Sequence, residues 1–99
     1  MSLNKLGAEA HVISVDRGWW GQPRNPMEIA ALIHSEVSEF VEEERRADYN
    51  ESKALEELAD VIIRVVDYCA YRGWDLDDAV FKKMLKNQSR EHRHGGKRY

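Results

Sequence analysis

The sequence predicts an all-α fold in which four helices pack as an antiparallel bundle. Apolar residues recur every three or four positions in four segments, and the short segments between them favour antiparallel neighbouring helices. The chain has 99 residues, of which 42% are hydrophobic and 33% are charged, so its own core is thin. We therefore expect one helical domain, residues 1–99, that completes its core by oligomerisation.

The first helix is predicted over residues 3–17, which carry apolar side chains at helical spacing. Gly18 suits its end because glycine adopts the left-handed conformation without strain. The loop that follows contains the adjacent Trp19 and Trp20. Tryptophans in such a place usually plug the end of a bundle, whereas the functional interpretation makes one ring a stacking surface for a flat ligand such as a nucleobase.

The second helix has a clear start and is predicted to run to about Ala47. Asn25 is a suitable N-cap, Pro26 occupies the first helical position, and Glu28 stands where a capping box has its acid. The apolar face of this helix comprises Ile29, Leu32, Ile33, Val37, Phe40 and Val41.

The acidic residues of the second helix do not all share one environment. With about 100° of rotation per residue, Glu36 and Glu43 lie inside the apolar face and Glu39 lies at its edge. Glu42 and Glu44 flank the face and are expected in water. An acid on a core-facing surface is costly unless it is paired or bound to a metal, which makes Glu36 the more informative residue.

The third helix follows a turn at residues 48–52 and is predicted to end at Gly73. It is apolar around more than half of its surface, which predicts burial against two partners, another subunit among them. The apolar residues are Leu55, Leu58, Ala59, Val61, Ile62, Ile63, Val65, Val66 and Cys69. The remaining face carries Glu57, Asp60, Arg64, Asp67 and Tyr71.

The fourth helix is predicted from Leu76 to Arg90, with Asp75 as its cap. Lys83, Asn87 and Arg90 recur at spacings of four and three and form one face of hydrogen-bond donors. Ala79, Val80 and Met84 are expected to pack on the opposite side. The polar residues 91–99 are interpreted either as a flexible tail or as a segment that closes over an anionic ligand.

Two acidic pairs, Glu36-x-x-Glu39 and Glu57-x-x-Asp60, lie on either side of the predicted turn. Each spacing places both acids on one side of a helix, one turn apart. The pairs are symmetric about position 48, so an antiparallel hairpin brings four carboxylates to one height, about 14–18 Å from the turn. Four anionic groups that close repel one another unless a cation lies among them.

Ligation by carboxylate oxygens alone indicates a hard cation, Mg²⁺, for which Mn²⁺ is a substitute. A metal cluster beside a basic face suits phosphoanhydride hydrolysis, because the metal screens phosphate charge and activates water while Lys83, Asn87 and Arg90 hold phosphate oxygens. Two other metal interpretations are much weaker. Glu91-x-x-His94 is a single copy of a di-iron motif that needs two, and a zinc site built from Cys69 and the terminal histidines has no supporting spacing.

Composition disfavours several classes of function. The formal net charge of −3 argues against general nucleic-acid binding, although basic residues crowd the end of the chain. The lone Cys69 excludes an intrachain disulfide and fits a reducing compartment. The sequence opens with no apolar leader and contains no run long enough to span a bilayer, so we expect a cytoplasmic protein with no membrane partner.

Nearly the whole sequence resembles one family, the compact, single-domain, MazG-like nucleoside triphosphate pyrophosphohydrolases, which are all-α proteins. The acidic pairs carry the resemblance together with LIHSEVSEFVEE, EELADVIIRVVDY, Gly73-Trp74-Asp75-Leu76 and the terminal KMLKNQSREHRHGGKRY. The N-terminal Gly18-Trp19-Trp20 with Asn25 is also similar. The acidic pattern alone is a weak signal, and its combination with the Lys-x-x-x-Asn-x-x-Arg helix and the HGGK tail is fairly specific.

The resemblance implies Mg²⁺-dependent hydrolysis of a (deoxy)nucleoside triphosphate to the monophosphate and pyrophosphate, an activity of the house-cleaning type. It also implies an obligate homodimer or homotetramer. The implied metal-binding and catalytic residues are Glu36, Glu39, Glu57 and Asp60. The implied substrate contacts are Lys83, Asn87, Arg90 and Lys97 to phosphate, with Trp19 and Trp20 as candidates for stacking on the base.

Two other functions remain open from the sequence. The first is a non-catalytic helical oligomer that binds a nucleotide or a protein partner, with the acids solvated at its surface. The second is a structural bundle that does neither. Dimeric dUTPases and the phosphoribosyl-ATP pyrophosphohydrolase of histidine synthesis are related enzymes but weaker fits, because the first are longer and the second has a different acidic pattern.

Overall fold

The structure, a computed structural model, describes residues 2–89. It contains four helices, which are α1 (Leu3–Asp16), α2 (Pro26–Arg45), α3 (Glu51–Arg72) and α4 (Leu76–Gln88). Residues 2–89 form no β-strand, so the all-α prediction with four helices is confirmed. No helix in this range is both long and apolar enough to cross a membrane.

Capping residues set the helix boundaries close to the predicted positions. The Asn25 side chain accepts a hydrogen bond from the Met27 N–H, and Pro26 is the first residue of α2. Asp75 caps α4 by accepting from the Asp78 N–H. Gly73 ends α3 in the left-handed conformation, at φ 69°, which confirms the reason for a glycine there.

The hairpin between α2 and α3 is the main difference in boundaries. Helix α2 ends at Arg45 rather than near Ala47, and α3 begins at Glu51 because Asn50 is its N-cap and accepts from the Lys53 N–H. The predicted turn at 48–52 therefore included the first residues of α3. The predicted end of α4 at Arg90 lies outside the described residues.

Helix α3 is the centre of the fold, because it packs against α1 on one side and α2 on another. The buried apolar residues Ile29, Ala54, Val66 and Cys69 lie on α2 and α3. Gly7 of α1 is buried as well. A β-carbon at this position would lie only 2.5 Å from the Val66 carbonyl oxygen. The missing side chain lets α1 approach α3 closely, and together these contacts build a thin core.

Helix α4 is attached to α1 through a reciprocal capping contact at the first turn of each helix. Asn4 Oδ1 accepts from the backbone N–H groups of Leu76 and Asp77. The Asp77 carboxylate in turn accepts from the backbone N–H groups of Leu3 and Asn4. These hydrogen bonds satisfy N–H groups that a helix start leaves without partners.

The rest of α4 contains no buried residue. The prediction that Ala79, Val80 and Met84 pack inside the chain is therefore wrong for a single subunit, where all three are exposed. Within residues 2–89, hydrogen bonds join the start of α1 to the first turn of α4, and Val80 and Met84 further along α4 stay exposed. The four helices thus form a bundle around α3 that α4 does not close.

Candidate active site

Three of the four predicted carboxylates meet between α2 and α3. Glu36, Glu39 and Glu57 each present an oxygen atom, and these atoms lie within 4.8 Å of one another. The antiparallel pairing of the two helices at the predicted register produces this group. We call these three residues the carboxylate cluster.

Asp60, the fourth predicted ligand, lies beside the cluster rather than within the 4.8 Å group. Its charge contributes to the raised pKa of Glu57, and it lines a cavity together with Glu36. The structure therefore places Asp60 at the edge of the cluster that faces the cavity.

Burial and like charges act together on Glu57. Burial of the carboxyl group raises its pKa first, and the neighbouring carboxylates of Glu39, Asp60 and Glu36 raise it further. Glu57 Oε2 is buried without a hydrogen-bond partner among the described residues. A buried carboxylate oxygen without a partner is costly, and a divalent cation would remove that cost. The donor set, all carboxylate oxygens, fits a hard cation such as Mg²⁺.

Glu43 extends the acidic surface one turn beyond Glu39. Its Oε2 is likewise buried without a partner among residues 2–89. It lines a groove of about 300 Å³ with Glu39 and Glu57. The sequence signal was its place inside the apolar face of α2, although the acidic pattern does not include it.

The raised pKa of Glu57 predicts how the stability of the metal-free protein depends on pH. A pKa above the ordinary value of 4.5 favours the fold while Glu57 is protonated. This contribution is fully present below the unfolded pKa and is lost as the pH rises through the raised folded pKa. At neutral pH without metal, we therefore expect Glu57→Gln to melt at a higher temperature than the wild type.

Thermal melts at a series of pH values, with chelator and then with excess Mg²⁺, test this expectation. The advantage of Glu57→Gln over the wild type should grow from acid to neutral pH in chelator and should shrink or reverse in Mg²⁺. Glu56→Gln is the matched control, because it removes the same charge from an exposed neighbour. If the difference in melting temperature between Glu57→Gln and the wild type does not change with pH, the predicted effect of the raised Glu57 pKa is contradicted.

A cavity of about 780 Å³ opens next to the cluster, between α1, α3 and the loop that follows α1. Glu36 and Asp60 contribute to its wall. Arg17, Arg24 and Arg64 line the same cavity. The wall thus combines carboxylates with guanidinium groups, the two side-chain types that a metal–phosphate ligand requires.

The loop residue Trp19 lines this cavity, and two guanidinium groups contact its ring. The Arg24 guanidinium carbon is 3.8 Å from the ring centroid, and that of Arg64 is 4.5 Å from it. Arg24 is held in place, since its Nε donates to the Trp19 carbonyl at 2.8 Å and its Nη1 pairs with Glu28 at 2.6 Å. Trp19 therefore orients arginines at the cavity wall, and its base-stacking role stays a prediction.

Trp20 is part of the internal packing. Its ring stacks on Tyr71, with centroids 4.0 Å apart and planes 9° apart. Its Nε1 donates to Ser14 Oγ at 3.0 Å and to Asp67 Oδ1 at 3.2 Å. This geometry favours the interpretation of Trp20 as a plug at the end of the bundle, although a stacking role for it also stays a prediction.

Asp67 is the buried centre of the polar network that fixes Trp20. Its Oδ1 accepts from Ser14 Oγ at 3.0 Å and lies 2.8 Å from His11 Nδ1. Asp67 and Ser14 also line the cavity. The network joins α1, the loop and α3 at the cavity wall.

Two of the residues predicted to hold phosphate, Lys83 and Asn87, are not brought to the cavity within one chain. Lys83 and Asn87 are exposed on α4, and neither lines the cavity nor forms a side-chain hydrogen bond or ion pair with another described residue. Arg90 and Lys97 lie outside the described residues. The arginines of the cavity were missed instead, and the available signal was that Arg64 follows Asp60 by one helical turn.

One of three comparisons with known proteins found a match. The model of the MazG nucleotide pyrophosphohydrolase domain matches residues 24–94, and the chain belongs to this family. No curated protein and no solved structure matches the chain significantly.

Proposed function

We propose that this protein is a Mg²⁺-dependent pyrophosphohydrolase that cleaves a (deoxy)nucleoside triphosphate to the monophosphate and pyrophosphate, in a house-cleaning role. The observation that carries the proposal is the carboxylate cluster, whose oxygens converge within 4.8 Å and whose member Glu36 also lines a cavity that contains arginines. Membership in the MazG family supports the reaction class.

Glu36, Glu39, Glu57 and Asp60 would hold the metal ion. When bound, the ion supplies charge stabilisation to the phosphates and makes the attacking water more acidic. One carboxylate of the set orients that water or accepts its proton. The cavity arginines contact the non-bridging phosphate oxygens, because a guanidinium donates two parallel hydrogen bonds to such groups.

We further propose that the working form is a homodimer or homotetramer. The support is the apolar surface that one chain leaves exposed on α3 and α4. In such an assembly α4 of a second subunit would bring Lys83 and Asn87, with Arg90 and Lys97, to the phosphates. Trp19 and Trp20 remain the proposed contacts for the base. The lone Cys69 supports a reducing compartment, and we place the activity in the cytoplasm.

A panel of canonical and damaged nucleoside triphosphates tests the activity. With Mg²⁺ present, at least one member of the panel should yield equal amounts of monophosphate and pyrophosphate, and chelator should abolish both products. No turnover of any member by a folded oligomer would contradict the proposal. Calorimetry with Mg²⁺ and a non-hydrolysable triphosphate then identifies the alternative, since tight binding without turnover indicates a non-catalytic nucleotide-binding protein.

A further inference from the structure

Arg64 forms an ion pair with Glu36, which is one of the proposed metal ligands. It lies on α3 one turn beyond Asp60, and its Nε donates a hydrogen bond to Glu36 Oε1 at 3.2 Å. The Glu36 side chain is only 14% exposed, whereas that of Arg64 is 33% exposed. A partly buried carboxylate is thus neutralised by an arginine that retains access to solvent.

The rest of the Arg64 guanidinium is available for another ligand. Its Nη1 and Nη2 groups donate no side-chain hydrogen bond within residues 2–89, and the residue lines the 780 Å³ cavity together with Glu36. The guanidinium carbon also lies 4.5 Å from the centroid of the Trp19 ring, in a cation–π contact. Arg64 is therefore held at the boundary between the carboxylate cluster and the cavity.

Arg64 and a metal ion would compete for the Glu36 carboxylate at this boundary. The oxygen that accepts from Arg64 belongs to the carboxylate that would bind the metal, and a positive charge this close opposes the binding of a dication. The conflict disappears if the arginine turns from the carboxylate to an anion when the metal arrives. A phosphate group in the cavity is such an anion, and a guanidinium binds it through two parallel hydrogen bonds.

We propose that Arg64 is an exchangeable counter-ion that holds Glu36 in the metal-free protein and contacts the triphosphate once a divalent cation takes the Glu36 carboxylate. The inference rests on the proposed function, because it requires that metal and triphosphate share this site. Metal and triphosphate then favour each other's binding. The metal releases Arg64 from Glu36 for the phosphate, and the phosphate draws Arg64 away from the carboxylate that binds the metal. This coupling is reciprocal.

The metal half of the proposal is tested by titrating the substrate-free protein with Mn²⁺ and measuring free Mn²⁺ by electron paramagnetic resonance. Arg64→Gln should bind Mn²⁺ about 3- to 10-fold more tightly than the wild type, a modest factor because solvent screens a partly exposed pair. Arg64→Lys keeps the charge and should stay near the wild type. Arg45→Gln is the matched control, since it removes an arginine from the exposed side of α2.

The phosphate half is tested by calorimetry with a non-hydrolysable triphosphate at saturating Mg²⁺. Arg64→Gln should bind the analogue at least about 10-fold more weakly than the wild type, because a charge-assisted contact is lost. Arg64→Lys should lie between the two, since an ammonium group keeps the charge without the two parallel bonds. The opposite signs of the two effects in Arg64→Gln are the signature of an exchangeable counter-ion.

Three results would overturn the proposal. Unchanged or weaker Mn²⁺ binding by Arg64→Gln, with a lower melting temperature, would make Arg64 a fixed structural partner of Glu36. Unchanged binding of the analogue would exclude the phosphate contact, and failure of the wild type to bind the analogue would do the same. The first two results leave turnover by the wild type intact, whereas failure of the proposed function shows as no turnover of any triphosphate in the panel.

Discussion

Asp60→Asn and Glu39→Gln are each expected to lower the rate of pyrophosphate release by at least about 100-fold, because a metal ligand contributes several kcal/mol of transition-state stabilisation. Each change removes one negative charge and keeps the shape of the side chain. Helical content should be unchanged, since Glu39 is exposed and Asp60 makes no hydrogen bond or ion pair with another described residue. The measurement is turnover of the best substrate of the panel, with circular dichroism to confirm folding.

Glu44→Gln provides the control on α2, because Glu44 is an exposed acid on the same helix that lies outside the carboxylate cluster. Its rate should equal that of the wild type. Mg²⁺ titrations separate loss of metal affinity from loss of catalysis. If Asp60→Asn recovers full activity at high Mg²⁺, Asp60 serves only to bind the metal. Wild-type activity of both variants at low Mg²⁺ would remove the carboxylates from the proposed mechanism.

Features determined by neighbours in the sequence could be predicted well. Asn25, Asp75 and Gly73 set helix ends through contacts within a few residues of each, so their chemical identity was enough to place them. The pairing of Glu39 with Glu57 followed from one additional assumption, an antiparallel hairpin of fixed helical rise. That assumption predicts four carboxylates at one height, and the structure brings the oxygens of three of them within 4.8 Å of one another.

Features determined by tertiary contact could not be predicted in the same way. The Arg64–Glu36 hydrogen bond depends on which side chains α2 and α3 bring opposite each other. The two arginines on Trp19 depend on how α1 and its loop approach α3. That approach depends on Gly7, whose role is visible only once Val66 is seen against it. The exposure of α4 was missed for a related reason, because an apolar pattern shows that a surface must be covered without showing which chain covers it.

The apolar stripe that α3 leaves uncovered is expected to hold the subunits together. Leu55, Leu58 and Ile62 are 64%, 41% and 47% exposed, and their spacing places them along one side of the helix. Burial of a leucine or isoleucine side chain contributes about 1.5–3 kcal/mol when complete, and each symmetric contact counts twice in a dimer. The combined change Leu58→Glu with Ile62→Glu should therefore weaken association at least about 100-fold.

Sedimentation over a range of protein concentrations measures this effect. The wild type should sediment as a dimer or tetramer and the double variant as a monomer, whereas Ala31→Glu with Ala47→Glu, which adds the same charge at exposed positions outside α3, should assemble like the wild type. An unchanged oligomer would exclude this face as the interface.

The activity of the monomer then decides where the phosphate contacts come from. Loss of activity with an intact carboxylate cluster supports Lys83 and Asn87 of a second subunit as phosphate contacts, whereas full activity assigns the phosphates to the arginines of a single chain.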